Sequence, residues 1–206
     1  WDRIAGSKSM APGTITGDHF AMTAVLDAAI AAPRRPDTSG VFFGLHTPGE
    51  TLGDQPVWRY FEPGLPHSII VNREGRRFAD DSFHPDLARG MSLEAGGETV
   101  NWPAWVIIDS NFLAKYPLGS LEWGAPPPQS MAACGDTIQH LAAAAGIDPD
   151  GLTHEIERFN NFARTGTDVD FGRGTRPYTL ALNGDTRESN ANLGELCRSP
   201  YYALPL

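Results

Sequence analysis

The chain has 206 residues, 41% of them apolar, and its 25 Asp and Glu against 16 Lys and Arg leave a formal net charge of −9. That length suits one domain or one and a fraction, and the apolar content is ordinary for a folded globule. The acidic balance argues against a nucleic-acid role built on phosphate neutralisation, and no run approaches the ~18 apolar residues of a spanning helix. The 17 Pro and 22 Gly predict many turns and irregular connections. Cys134 and Cys197 stand far apart without metal or redox spacing, so two reduced thiols in a cytoplasmic protein are expected, with a disulfide left open. No secretory leader is visible, and the chain runs from Trp1 to Pro205-Leu206 just after an apolar segment. The expectation is a piece of a longer protein.

In chain order, Trp1–Gly13 reads as loop. Thr14-Ile15-Thr16-Gly17-Asp18 leads into His19–Ala32, where Phe20, Met22, Val25, Leu26, Ala29 and Ile30 recur at helical spacing. Asp18 or Thr16 caps this helix and Pro33 stops it. Val41–Leu45 reads as a buried strand and His46–Gly64 as a long irregular stretch. Within it Trp58, Tyr60 and Phe61 alternate with charged residues, as a strand packing on the core or as part of an apolar pocket wall.

Ser68–Val71 is a short β-branched strand, Asn72-Arg73-Glu74-Gly75 a turn, and Arg77–Ala79 the returning strand. The loop Asp80-Asp81-Ser82-Phe83-His84 then sets two carboxylates and an imidazole beside Arg76 and Arg77. It reads either as a charged surface hairpin or as a site. Pro85–Met91 suits a short helical turn, Ser92–Thr99 a loop, Trp105–Asp109 a strand and Asn111–Tyr116 a short helix. Asp136 or Thr137 caps the helix Ile138–Ala145. Asp148 and Pro149 open a longer helix, Pro149–Thr165, whose Leu152, Ile156, Phe159 and Phe162 form one core stripe ended by Gly166. Gly184–Cys197 is polar, and Ser199–Leu206 a closing strand.

The six His are dispersed without zinc spacing, so no metal is expected. No G-x-S-x-G occurs, and neither Cys has a patterned His. Asp170-Phe171-Gly172 spells the kinase magnesium tripeptide, but the other kinase motifs are missing. No G-x-G-x-x-G follows a strand, so the fold that holds the ADP half of a dinucleotide is not encoded.

The ordered strings VNREGRRFADD, PAWVIID, GIDPDGLTHEIERFNNFARTGTDVDFGRG and PYYA resemble the FAD-binding fumarate reductase and 3-ketosteroid dehydrogenase class, over about Thr14 to Leu206. The resemblance implies an α+β fold, a small mixed or antiparallel sheet with packed helices, as in the capping domain of such flavoproteins. It implies three parts: residues 1–32 as a stub of the flavin domain, 33–198 as the substrate domain, and 199–206 as a strand returning to the flavin domain. It implies FAD in the longer parent, with Thr16, Gly17 and Asp18 as cofactor contacts, and a steroid-like or alicyclic ketone as substrate. The parent's own flavin domain is the implied partner. A fumarate-type dicarboxylate enzyme and a non-catalytic ligand-binding module are the alternatives.

The fumarate-type arginine and the ketosteroid-type tyrosine both belong four residues after Asp81, where this chain has Pro85. A one-residue gap puts His84 there, and an imidazole titrating near neutrality suits acid–base work. His84 and Tyr202 are therefore the catalytic candidates, and Arg77, Phe83 and Trp58 the substrate-binding ones. Arg77 is also expected to pair with Asp80 or Asp81.

Overall fold

The computed structural model describes residues 44–61 and 63–206. The elements are β1 (Gly44–Leu52), β2 (Gln55–Tyr60), β3 (Ser68–Asn72), α1 (His84–Met91), β4 (Glu94–Ala95), β5 (Glu98–Thr99), β6 (Ala104–Asp109), α2 (Ser110–Lys115), β7 (Ala133–Gly135), α3 (Ile138–Ala145), α4 (Pro149–Thr165), α5 (Pro177–Leu182) and β8 (Tyr201–Pro205). The expected helix His19–Ala32 and the Thr16-Gly17-Asp18 turn lie outside the described residues.

Four strands form the central sheet in the order β3-β6-β8-β7, and every pairing in it is antiparallel. Both faces are covered, which is why the strands read as unbroken apolar runs rather than alternating ones. Ile69, Val71, Ile107, Tyr201 and Ala203 pack against Leu141 of α3 and Leu152, Ile156 and Phe159 of α4. Ile70, Val106, Ile108, Tyr202 and Leu204 point the other way, onto Leu87 and Met91 of α1 and Phe112 of α2. The period of two along each strand sorts the neighbours into these two layers. Each fully buried branched side chain here contributes about 1.5–3 kcal/mol.

The helix ends follow their sequence signals. Thr137 Oγ1 accepts from His140 N at 3.1 Å, and the Asp148 carboxylate accepts from Gly151 N at 2.5 Å. Gly166 closes α4 in the left-handed region at φ 75°, a conformation that glycine adopts at no steric cost.

Several expectations change. The sheet is antiparallel throughout, one of the two arrangements expected. Of its expected strands, Ser68–Val71 and Trp105–Asp109 pair side by side, whereas Val41–Phe43 lie outside the described residues. The following stretch is not irregular, because β1 and β2 pair as a separate ribbon whose Leu45 packs on the α1 layer. Arg77–Ala79 is not a strand. The chain returns through one backbone bond, Asn72 N to Arg76 O at 3.0 Å. Beyond it the outer edge of β3 is satisfied by side chains: Ile70 N donates to Asp81 Oδ2 at 2.8 Å, and Arg173 donates to the Ser68 carbonyl at 2.8 Å. These bonds occupy backbone groups that an added strand would need. The segment 199–206 contributes β8, an interior strand of this sheet between β6 and β7.

Candidate functional site

The loop Asp80–Phe83, which enters α1, and the first helical turn His84–Asp86 are held by arginines from two other segments. Arg77 enters the interior and its side chain has no exposure. Its Nη2 donates to Asp81 Oδ1 at 3.0 Å and to Asp168 Oδ2 at 2.8 Å. Its Nε and Nη1 have no hydrogen-bond acceptor. They belong to a guanidinium lying between the rings of Phe159 and Phe171, at 5.1 and 5.2 Å from the centroids, so ring faces supply the remaining electrostatic contact.

Arg173 is also fully buried. It reaches Asp81 Oδ2 at 3.0 Å and donates to the carbonyls of Ser68, Leu65 and Asn192. Asp168 is wrapped by its own loop, accepting from the backbone of Asp170, Phe171 and Arg173. Two cations and two anions therefore share one buried site, the only arrangement in which such charges are tolerated. Burial pushes the Asp81 carboxyl up, but Arg173 and Arg77 together outweigh it and hold it below the usual carboxylate range. Burial likewise opposes the Arg77 charge, and Asp81 with Asp168 restores it beyond its ordinary value.

The loop itself folds around Asp80. Its Oδ1 accepts from Ser82 N at 3.1 Å and Ser82 Oγ at 2.6 Å, while Phe83 N donates to the Asp80 carbonyl at 3.0 Å. Asn183 Nδ2 donates to the Ser82 carbonyl at 3.1 Å. Gly64 runs so close beneath that a Cβ on it would strike Ser82. Phe83 meets Tyr178 of α5 edge-on, with ring centroids 6.2 Å apart. Phe83 and His84 are half-buried, and burial lowers the His84 imidazole below its ordinary value. His84 is therefore mainly the neutral, proton-accepting form at pH 7.

The sequence-derived candidates separate on this geometry. Phe83 and His84 come together in one fixed loop. Arg77 is corrected from a substrate contact to a buried structural cation, though its expected pairing with Asp81 holds. Tyr202 is only 5% exposed and packs in the layer that also buries Leu87 and Met91 of α1. Burial, then the charges of Cys134 and Asp136, raise its phenol. Among the described residues Tyr202 is thus a packed aromatic, and none of these contacts carries its expected catalytic role. Trp58 lies on β2, and its side chain is outside what the structure describes, as are Thr16, Gly17 and Asp18.

Arg173, Asp168 and Asn192 were missed as organising residues. Asn192 is fully buried; its Nδ2 donates to the carbonyls of Gly64, Thr179 and Asn183. The available signal was the arginine closing the DVDFGR string. Asp170 of that string forms an outward pair with Arg158, Nε to Oδ2 at 2.6 Å. Among the described residues no group of three His, Cys, Asp or Glu is arranged to hold a metal, and no helix is long and apolar enough to cross a membrane.

No family model matches the chain. It is 35% identical over 199 residues to the 4-oxocyclohexanecarboxylate 2-dehydrogenase of Sinomonas cyclohexanicum, a match covering 94% of this chain and 34% of that protein. It is 35% identical over 166 residues to the 3-oxosteroid 1-dehydrogenase of Mycolicibacterium smegmatis, covering 76% of this chain and 29% of the relative. The chain thus spans about a third of the length of these relatives. Its fold matches the crystal structure of 3-ketosteroid delta1-dehydrogenase from Sterolibacterium denitrificans with a TM-score of 0.67 at 29% identity, over 80% of this chain and 30% of that one. In sequence over nearly its whole length, and in fold over four fifths of it, the chain belongs with the 3-ketosteroid dehydrogenase-like flavoproteins of the fumarate reductase class, as a segment matching about a third of such a protein.

Proposed function

We propose that this chain is the substrate-side domain of an FAD-dependent dehydrogenase acting on a CH–CH bond beside the carbonyl of a ketosteroid or smaller alicyclic ketone. The observation that carries the reading is the Asp80–Asp86 loop. It is braced by buried ion pairs, yet presents Phe83 and a neutral, half-buried His84. Rigid support beneath an accessible acid–base group is what proton transfer at a fixed carbon requires.

The relatives are about three times as long as the matched segment. Among the described residues no glycine-rich strand-to-helix turn occurs, so most of the FAD contacts are assigned to the rest of the parent, with Thr16–Asp18 as a secondary contact. When bound, FAD supplies the hydride acceptor. His84 takes the proton from the carbon next to the carbonyl onto its imidazole, and later releases it to solvent. Phe83 offers apolar surface to the ring system, and Trp58 is assigned the same role. The flavin domain of the parent is the partner that closes the site, and a cytoplasmic location fits a ketone-oxidising enzyme of this kind.

The fumarate-type reading is disfavoured by charge. Pro85 stands where its arginine would be. Arg77 and Arg173 are buried in ion pairs, and Arg176 is bound to Asp80 and Asp86. The test is the full-length protein with His84→Ala. Single-turnover flavin reduction by a 3-ketosteroid or by 4-oxocyclohexanecarboxylate is expected to fall ~100-fold, the lower range for one acid–base group, with substrate affinity nearly unchanged. A wild-type rate would leave His84 a loop residue. No flavin reduction by any such ketone in the wild type would favour a non-catalytic binding module.

A further inference from the structure

Helix α1 begins without a side-chain cap, since Phe83 at its N-cap makes no such bond. Its first turn therefore needs another restraint. Arg176 supplies one from outside: Nε donates to Asp80 Oδ2 at 2.9 Å, and Nη2 to Asp86 Oδ2 at 2.6 Å. The same guanidinium lies over the Phe83 ring, 4.4 Å from its centroid. Asp80 precedes and Asp86 follows the segment Ser82-Phe83-His84-Pro85, so one planar group spans both ends of the stretch that carries the imidazole.

Arg176 is itself fixed. As the residue before α5, its carbonyl accepts from Leu180 N at 3.0 Å and Thr179 Oγ1 at 3.2 Å. The same hydroxyl, with its one proton, has Oδ1 of the buried Asn192 as an alternative acceptor at 3.1 Å. Unlike Arg77 and Arg173, the Arg176 side chain is 40% exposed. Its partner Asp86 is part-exposed, whereas the Asp80 side chain is 1% exposed, so a variant at 176 must keep a donor beside Asp80, as the amide of R176Q does.

We propose that Arg176 is a positioning residue for His84, bridging Asp80 and Asp86 so that the imidazole is held at one angle to the substrate without itself touching it. This rests on the reading of His84 as the acid–base group. A lysine carries the same charge but is a point donor, and cannot hold two carboxylates in one plane above a ring.

The experiment uses the full-length, flavin-loaded protein with R176Q, R176K, H84A and the double variant H84A/R176Q. Flavin reduction by 4-oxocyclohexanecarboxylate or a 3-ketosteroid is followed across pH 5–9, alongside substrate affinity and thermal midpoint. R176Q is expected to slow reduction about tenfold or more, the scale of a misplaced catalytic group, while affinity stays within about twofold. Its acid limb moves up, because a loosened loop rehydrates the imidazole. R176K retains the charge yet recovers only a minor part of the rate. In the H84A background, R176Q adds no further loss, as required of two residues acting through one group. A full additive loss in that background, or a lower midpoint with an unchanged pH profile, would make Arg176 a purely structural residue. A slow H84A beside a fully active R176Q overturns this inference alone. A fully active H84A overturns the reading beneath it.

Discussion

Arg77 is the residue on which the described unit's charge balance turns. Removing a single partner from a buried pair leaves the other charge stranded, at a cost of about 3–5 kcal/mol. Arg77→Ala is therefore expected to destabilise by that amount in a denaturant titration, because Asp168 and Asp81 both face its Nη2. Arg77→Lys is expected to recover little, since the flat guanidinium is also what fits between Phe159 and Phe171. A loss below about 1 kcal/mol for Arg77→Ala would place the pair in the solvent-screened class instead. Two titrations have opposite chemistry and the same sign. The Asp81 carboxyl lies below its ordinary value, so its contribution is present above about pH 4 and fades as pH falls through the lowered value. His84 is also lowered, by burial. A base with a depressed folded value binds fewer protons folded than unfolded. Its contribution is thus full above about 6.5 and declines below it. Between pH 7.5 and 5.5 the thermal midpoint of His84→Gln is expected to fall less than that of the wild type. Parallel curves would mean that the folded and unfolded imidazoles titrate alike.

At the scale of elements, the turn after β3 and the start of α4 are a single packed unit. Asp148 N donates to the Arg73 carbonyl at 2.9 Å, and the helix N-terminus lies directly against Glu74 and Gly75. Gly151 sits in the first turn of α4, where alanine is intrinsically favoured by about 1 kcal/mol. A Cβ there would nevertheless meet the Glu74 carbonyl oxygen far inside van der Waals contact. Backbone cannot yield as a flexible side chain does, so Gly151→Ala is expected to destabilise by about 2 kcal/mol or more, the reverse of the propensity sign. Circular dichroism melts of the two proteins decide it, and a raised midpoint for the variant would mean that the turn does not press on α4. The same contact explains why the hairpin is not extended: once the turn is seated on α4, Arg77 is directed inward and the edge of β3 is closed by side chains.

Among the described residues the central sheet is buried on both faces, with the charged loop on one edge and helices above and below. All the chemistry assigned to it concerns the substrate side. The 206-residue chain alone is therefore expected to hold no stoichiometric FAD at micromolar concentration, because the nucleotide-binding turn is not in its sequence. The absorbance near 450 nm of the purified chain, after addition of FAD and gel filtration, is the measurement. A yellow chain with one flavin per molecule would show that its own residues suffice.

The local signals in the sequence were strong wherever one principle acted alone. Apolar runs located β3, β6 and β8; Asp148-Pro149 and Gly166 bounded α4; Thr137 capped α3. In each case the deciding interactions lie within a few residues of one another. The antiparallel order, the separate β1–β2 ribbon and the interior place of β8 depend on partners up to about 100 residues away, and periodicity does not encode them. The candidate site divides in the same way. The Asp80–His84 loop was legible as a cluster of charge beside an imidazole. Its real support, Asp168, Arg173 and Arg176, comes from about 90 residues downstream. Which arginine is buried, and which aromatic is core, depended on how completely the fold removes each from water. For Arg77 and Tyr202 the long-range packing of α4 and of the sheet settled that question, because burial is a property of the assembled chain and not of any segment of it.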